Sequence, residues 1–122
     1  MPESPVTSDK LIEIHHDIIQ DYGGACGVRD EATLDHLIYQ VNRTKSCKRK
    51  AAIILHGIAS DHPFVDGNKR TAFVAAENIL KNCGYRIMAT DDEMVSFMIE
   101  VASYLHTRDS VEAWIKEKLE LA

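Results

Sequence analysis

The sequence predicts an all-α domain, a compact helical bundle in which a short polar loop sits between two central helices. Three observations carry that expectation. Apolar residues recur every three or four positions through most of the 122-residue chain, which is the helical period. Capping residues stand ahead of these stretches, and Gly or Asn follows several of them. Weak strand-like alternation is confined to Tyr85-Arg86-Ile87-Met88-Ala89, a short extended segment too isolated to build a sheet from.

Thr7 or Ser8 can cap a first helix reaching about Tyr22, with Leu11, Ile14, Ile18 and Ile19 on its apolar stripe and Gly23-Gly24 ending it. His15 and His16 lie in this helix, but neighbours on a helix point about 100° apart and cannot share one ion well. Surface or cap roles are expected for both. Asp30 caps a second helix whose Leu34, Leu37, Ile38 and Val41 are apolar, and Asn42 ends it. A third helix from about Lys48 to Ala59 carries Ala51, Ile54, Leu55 and Ile58 and is too apolar for a surface element. It is expected to pair antiparallel with a fourth, about Asn68 to Cys83, where Ala72, Ala75 and Ala76 permit close approach and Gly84 terminates. Thr90-Asp91-Asp92-Glu93 is a capping box opening a fifth helix, with Met94, Phe97, Met98, Val101, Ala102 and Leu105 expected on its buried face. Asp109 or Ser110 is expected to cap a last helix through Trp114, Ile115 and Leu119.

The length fits a single domain spanning residues 1–122 with one core. No apolar run approaches the ~20 residues of a membrane span. Met1-Pro2-Glu3-Ser4-Pro5 has neither the basic start nor the apolar centre of a signal peptide, and residues 1–7 are expected to be a frayed leader. A formal charge of −5 argues against direct nucleic-acid binding, which needs basic surface to displace counterions. Three cysteines, Cys26, Cys47 and Cys83, are odd in number and lack Cys-x-x-Cys spacing. That argues against a disulfide framework and a zinc site, and for a reducing cytoplasm. Positive charge is local: Arg43, Lys45, Lys48, Arg49 and Lys50 form a basic cluster that reads as solvated surface, or as a face toward a triphosphate or an acidic partner.

Chemistry concentrates in His62-Pro63-Phe64-Val65-Asp66-Gly67-Asn68-Lys69-Arg70, followed at once by the apolar start of the fourth helix. Unpaired N–H groups at a helix start carry the positive end of the macrodipole and hold anions. Gly67 permits close backbone approach, Asn68 and Lys69 can donate to phosphate oxygens, and Arg70 can bind them bidentately. Asp66 is a hard oxygen ligand suited to Mg²⁺ shared with phosphates. His62 can serve as a general base, while Pro63 stiffens the loop and Phe64 anchors it by pointing inward. Asp-Gly-Asn is also an ordinary turn and cap signal. A loop that only turns the chain has no need of His, Lys and Arg beside a carboxylate. His56 reads as a satisfied histidine in the core or at a helix end.

This stretch resembles the signature of the Fic/Doc family, whose Fic branch usually reads HPFx(D/E)GN followed by Gly-Arg and a second Arg three residues on. Lys69 stands in place of the second loop glycine and Phe73 in place of the second arginine, and both departures resemble the Doc branch of toxin–antitoxin toxins. Gly27-Val28-Arg29-Asp30 belongs to the same resemblance, which runs from about Leu11 to the end. It implies a cytoplasmic nucleotide-dependent transferase using ATP and Mg²⁺. His62 would be the base, Asp66 the metal ligand, and Gly67, Asn68, Lys69 and Arg70 the phosphate cradle. In the Doc branch the γ-phosphate passes to a Thr hydroxyl of the elongation factor EF-Tu, and a cognate antitoxin supplies control. A Fic-type AMP transferase and a non-catalytic nucleotide- or partner-binding module are the alternatives. Self-inhibition in the family uses Ser/Thr-x-x-x-Glu followed by Gly or Asn; Ser96 to Glu100 has the spacing but is followed by Val101, and reads as chance.

Overall fold

Helix starts fall where capping chemistry puts them. The computed structural model describes residues 5–122, in which α1 (Ser8–Tyr22), α2 (Glu31–Asn42), α3 (Cys47–Asp61), α4 (Asn68–Asn82), α5 (Asp91–Ala102) and α6 (Arg108–Lys118) are joined by short connections. Thr7, Asp30 and Ser46 each accept an N–H from the first turn of α1, α2 and α3. Thr90 and Glu93 form the expected reciprocal box at α5. At α6 the cap is Thr107, not Asp109 or Ser110, because Ser110 serves as the partner three residues inside the helix.

α3 is the central rod. Ala51, Ala52, Ile54, Leu55, Ile58 and Ala59 are wholly buried, because α3 packs against α2, α4, α5 and α6. The α2–α3 crossing is close enough that a methyl on Gly57 would lie 2.2 Å from Leu37 Cδ2. α3 and α4 form a hairpin with the polar loop at its turn.

Several expectations give way to tertiary contacts. Cys47 at the start of α3 and Cys83 at the end of α4 are joined in a disulfide, with Cα atoms 6.6 Å apart. Cysteine spacing in sequence could not reveal a bond made by antiparallel helices. Tyr85–Ile87 (β1) does build a sheet, pairing antiparallel with Leu119–Leu121 (β2), so that α6 stops at Lys118 and Leu119 lies opposite Ile87. Leu105 is exposed at 71%, since α5 ends at Ala102 and Tyr104 takes a left-handed φ of 64° that turns the chain off the helical stripe.

Of the expected leader, residues 1–4 lie outside the described segment. Val6 exchanges two 2.9 Å hydrogen bonds with the Asn42 side chain, so this part of the leader is tied to the end of α2. Within the basic cluster, Arg49 pairs with Asp109 and Glu112 of α6 at 2.6 and 3.3 Å, and Arg43 and Lys48 lie over the Tyr39 and Tyr85 rings. Those three are engaged within the fold. No helix among the described residues is long and apolar enough to cross a membrane.

Candidate active site

The loop between α3 and α4 is bounded by two left-handed residues. His62, the C-cap of α3, has φ 52° and ψ 58°, and Gly67, the N-cap of α4, has φ 74° and ψ 20°. Glycine adopts that geometry at no cost, whereas histidine needs support. Arg29 supplies it by donating to the carbonyls of His62 (2.8 Å, from Nε) and Asp61 (2.9 Å) at the end of α3. The neighbouring backbone adds an antiparallel bridge between Val28 and Phe64, with Arg29 and Asp30 N–H donating to Pro63 O and Val65 N–H to Gly27 O. The connector from α1 to α2 thus serves as a splint for the loop.

Phe64 is fully buried, and its ring stacks on His15 with centroids 4.1 Å apart and planes within 7°. Pro63 is buried beside it. His15 is itself buried rather than at a surface or cap, and its Nε2 lies 2.7 Å from the carbonyl of Asp66. His16 is exposed, as expected.

The Asn68 side chain is spent inside the loop: Oδ1 accepts from Phe64 N–H and Nδ2 donates to Phe64 O, both at 3.0 Å. Oδ1 and one Nδ2 hydrogen are thereby committed to the loop, where leaving them unpaired would pay their desolvation. Asn68 also offers a ligand its backbone N–H. α4 has no side-chain cap, and Thr71 is the first of its N–H groups bonded back to Gly67. The earlier donors point out of the helix start.

A cavity of about 320 Å³ opens there. One wall is Gly67, Asn68, Lys69, Arg70 and Phe73; the other is Met94, Val95, Met98 and Ile99 of α5. Lys69 and Arg70 are exposed, and the Arg70 guanidinium rests 4.1 Å from the centroid of the Tyr22 ring. His62 and Asp66 are not in the cavity wall. His62 is half-buried, with Nδ1 3.0 Å from Ser60 O. A carbonyl can only accept, so Nδ1 is the donor in this contact, and a neutral ring would then carry its lone pair on Nε2. Asp66 is exposed, and its Oδ2 accepts from Ala25 N–H at 2.8 Å. No cluster of three or more His, Cys, Asp or Glu that could hold a metal by themselves forms among the described residues. Asp66 Oδ1 alone fits the pattern in which Mg²⁺ takes one carboxylate and draws its other ligands from phosphates and water.

The Fic/DOC family matches residues 5–80. The chain belongs to the Fic/DOC family. It is also 36% identical over 101 residues to "Toxin Doc" of Mycolicibacterium smegmatis, covering 75% of this chain and 78% of that protein. Within this Fic/DOC chain, Phe73 is buried in the cavity wall where the Fic branch has its second arginine, so that wall is apolar at that point. His56 donates to His106 O at 3.2 Å and is a satisfied histidine, and Glu100 pairs with His106 Nε2 at 2.7 Å.

The roles of two residues of the site escaped the sequence reading. His15 carried a signal, since it lies four positions after Leu11 and four before Ile19 on the apolar stripe. Arg29 stood in the Gly27-Val28-Arg29-Asp30 stretch of the resemblance, but its role had no local signal, because its partners are backbone carbonyls on another element.

Proposed function

We propose that this protein is a Doc-type toxin that transfers the γ-phosphate of ATP to a hydroxyl of a translation elongation factor, an EF-Tu-like protein, and so blocks translation. The observation that carries the reading is the 3.0 Å contact of His62 Nδ1 with Ser60 O: with Nδ1–H given to that carbonyl, the Nε2 of a neutral ring is left to accept a proton from an attacking hydroxyl. At the other end of the same short loop, the unpaired N–H groups of α4 with Lys69 and Arg70 form a cradle for phosphate.

The residues divide the work. His62 takes the hydroxyl proton at Nε2. The backbone N–H groups of Gly67, Asn68 and Lys69, with the Lys69 and Arg70 side chains, hold phosphate oxygens and offset charge as the transfer proceeds. Asp66 would hold Mg²⁺ through Oδ1, and when bound that ion neutralises phosphate charge. Phe73 in place of a cation favours phosphoryl over adenylyl transfer, since the wall then has no second arginine to hold the terminal phosphates of an inward-lying nucleotide. As with the toxin it resembles, control would come from a cognate antitoxin, and the cytoplasm is where target and nucleotide meet.

The test is intact-mass measurement of purified EF-Tu after incubation with the protein, ATP and Mg²⁺. A phosphoryl adduct is expected with the native chain and none with His62→Ala. An adenylyl adduct would replace the kinase by an AMP transferase. Absence of any adduct, with no growth arrest on expression, would leave a binding module.

A further inference from the structure

Under the motif loop, α1 forms a wall whose chemistry is not explained by packing alone. A methyl built on Gly67 would lie 3.1 Å from Ile19 Cδ1, 3.5 Å from Ile18 Cγ2 and 3.8 Å from His15 Cδ2. Ile18 and Ile19 complete an apolar surface, on which His15 is a polar exception that is only 3% exposed. Burying an imidazole there has a cost that a Leu or Phe would avoid. The compensation is a single bond, Nε2 to Asp66 O at 2.7 Å. Because the partner is a carbonyl, Nε2 is the protonated nitrogen.

We propose that His15 is a positioning residue that sets the orientation of the peptide between Asp66 and Gly67, and through it the direction of the Gly67 N–H. The peptide is planar and, like every described peptide bond, trans, so its C=O and N–H point in opposite directions. Holding the Asp66 carbonyl down onto α1 turns the Gly67 N–H away from α1, toward the cavity that Gly67 lines. Were this peptide to flip, a carbonyl oxygen would face the anion in place of a donor. Gly67 is the residue at which such a flip meets least steric resistance. The stack of His15 on Phe64 holds the ring in register with the loop, so one side chain fixes both the anchor and the donor. The inference rests on the proposed function only in taking the start of α4 as an anion cradle.

The experiment separates the two. His15→Phe keeps the ring and its stack on Phe64 but removes the donor, and His15→Gln keeps a donor near the Nε2 position without the ring. The readouts are the Gly67 amide resonance in a ¹H–¹⁵N spectrum and the affinity for inorganic tripolyphosphate by calorimetry. His15→Phe is expected to move the Gly67 resonance and to weaken tripolyphosphate binding by about ten- to a hundredfold, the loss of one charge-assisted donor. His15→Gln is expected to restore most of the affinity. An unmoved Gly67 resonance with unchanged affinity in His15→Phe overturns the inference. A native protein that binds no tripolyphosphate overturns the cradle, and the Gly67 resonance still decides the role of His15. Should His15→Phe not fold, His15→Met, also lacking the donor, takes its place.

Discussion

The two ends of the α3–α4 hairpin are held by different kinds of bond. At the far end Cys47 and Cys83 join the start of α3 to the end of α4 covalently, and β1 leaves α4 directly into its pairing with β2. At the near end the turn contains two left-handed residues, His62 and Gly67, and a helix start without a side-chain cap. It is held by the α1–α2 connector, by Arg29 on the carbonyls of His62 and Asp61, by Ala25 on Asp66, and by His15 on the Asp66 carbonyl. A cap on α4 would satisfy the donors that an anion needs. The near end is therefore fastened through its carbonyls and its buried anchor, while its outward N–H groups stay open.

The largest expected effect breaks the near end. Phe64→Ala removes a wholly buried ring that stacks on His15 and is expected to cost about 3–5 kcal/mol in urea unfolding, with loss of tripolyphosphate binding. A cost below about 1 kcal/mol would mean the loop is not anchored by this ring.

Removing the tie at the far end sharpens the contrast. The double variant Cys47→Ser, Cys83→Ser is expected to lose about 2–4 kcal/mol of stability, since the closed loop spans 36 residues. Anion affinity should stay as in the native protein, because the site lies at the other end of the hairpin. Equal losses of stability and affinity would show that the ends are not independent.

Arg29→Ala is a smaller perturbation of the near end. Two hydrogen bonds from an exposed guanidinium are expected to be worth about 1–2 kcal/mol in stability. Transfer activity should fall more than stability implies, because His62 is then free to leave its left-handed conformation; activity loss merely in step with unfolding would assign Arg29 to the scaffold.

The smallest effect lies away from both ends, where α5 and α6 are bridged by Glu93 and Lys118. The Lys118 ammonium, with the Thr90 cap bonds, lowers the Glu93 carboxyl from its ordinary 4.5 to about 2. A carboxyl depressed on folding contributes stability that is complete above 4.5 and is lost as pH falls toward about 2. Glu93→Gln keeps an acceptor for the capping box but drops the charge. It should flatten the fall of Tm across that acid window by lowering Tm above it, modestly because the pair is half-exposed, and leave Tm nearly unchanged below about pH 2, where the carboxyl is protonated in both states.

Much of this architecture was legible in the linear chain because the rules involved are local. Thr7, Asp30 and Thr90 mark helix starts through bonds to residues three positions on, and Gly23 and Gly84 both have positive φ at helix ends. The motif was legible as chemistry for the same reason: a base, an acid and two cations within nine positions need no knowledge of the fold. The use made of individual side chains was not legible. Asn68 looks like a ligand donor by type and is the internal brace of its own loop. His15 looks like half of a surface pair and is the support beneath the loop.

By itself, then, the sequence determined six helices, their central hairpin and the loop that carries the family signature. The tertiary structure decided which donors stay open, which histidine is buried, that Cys47 reaches Cys83, and that β1 finds β2. The physical reason is range. Caps, turns and periodicity act over a few residues along the backbone, whereas a hydrogen bond from Arg29 to His62, or a disulfide across 36 residues, exists only after helices distant in sequence have packed side by side.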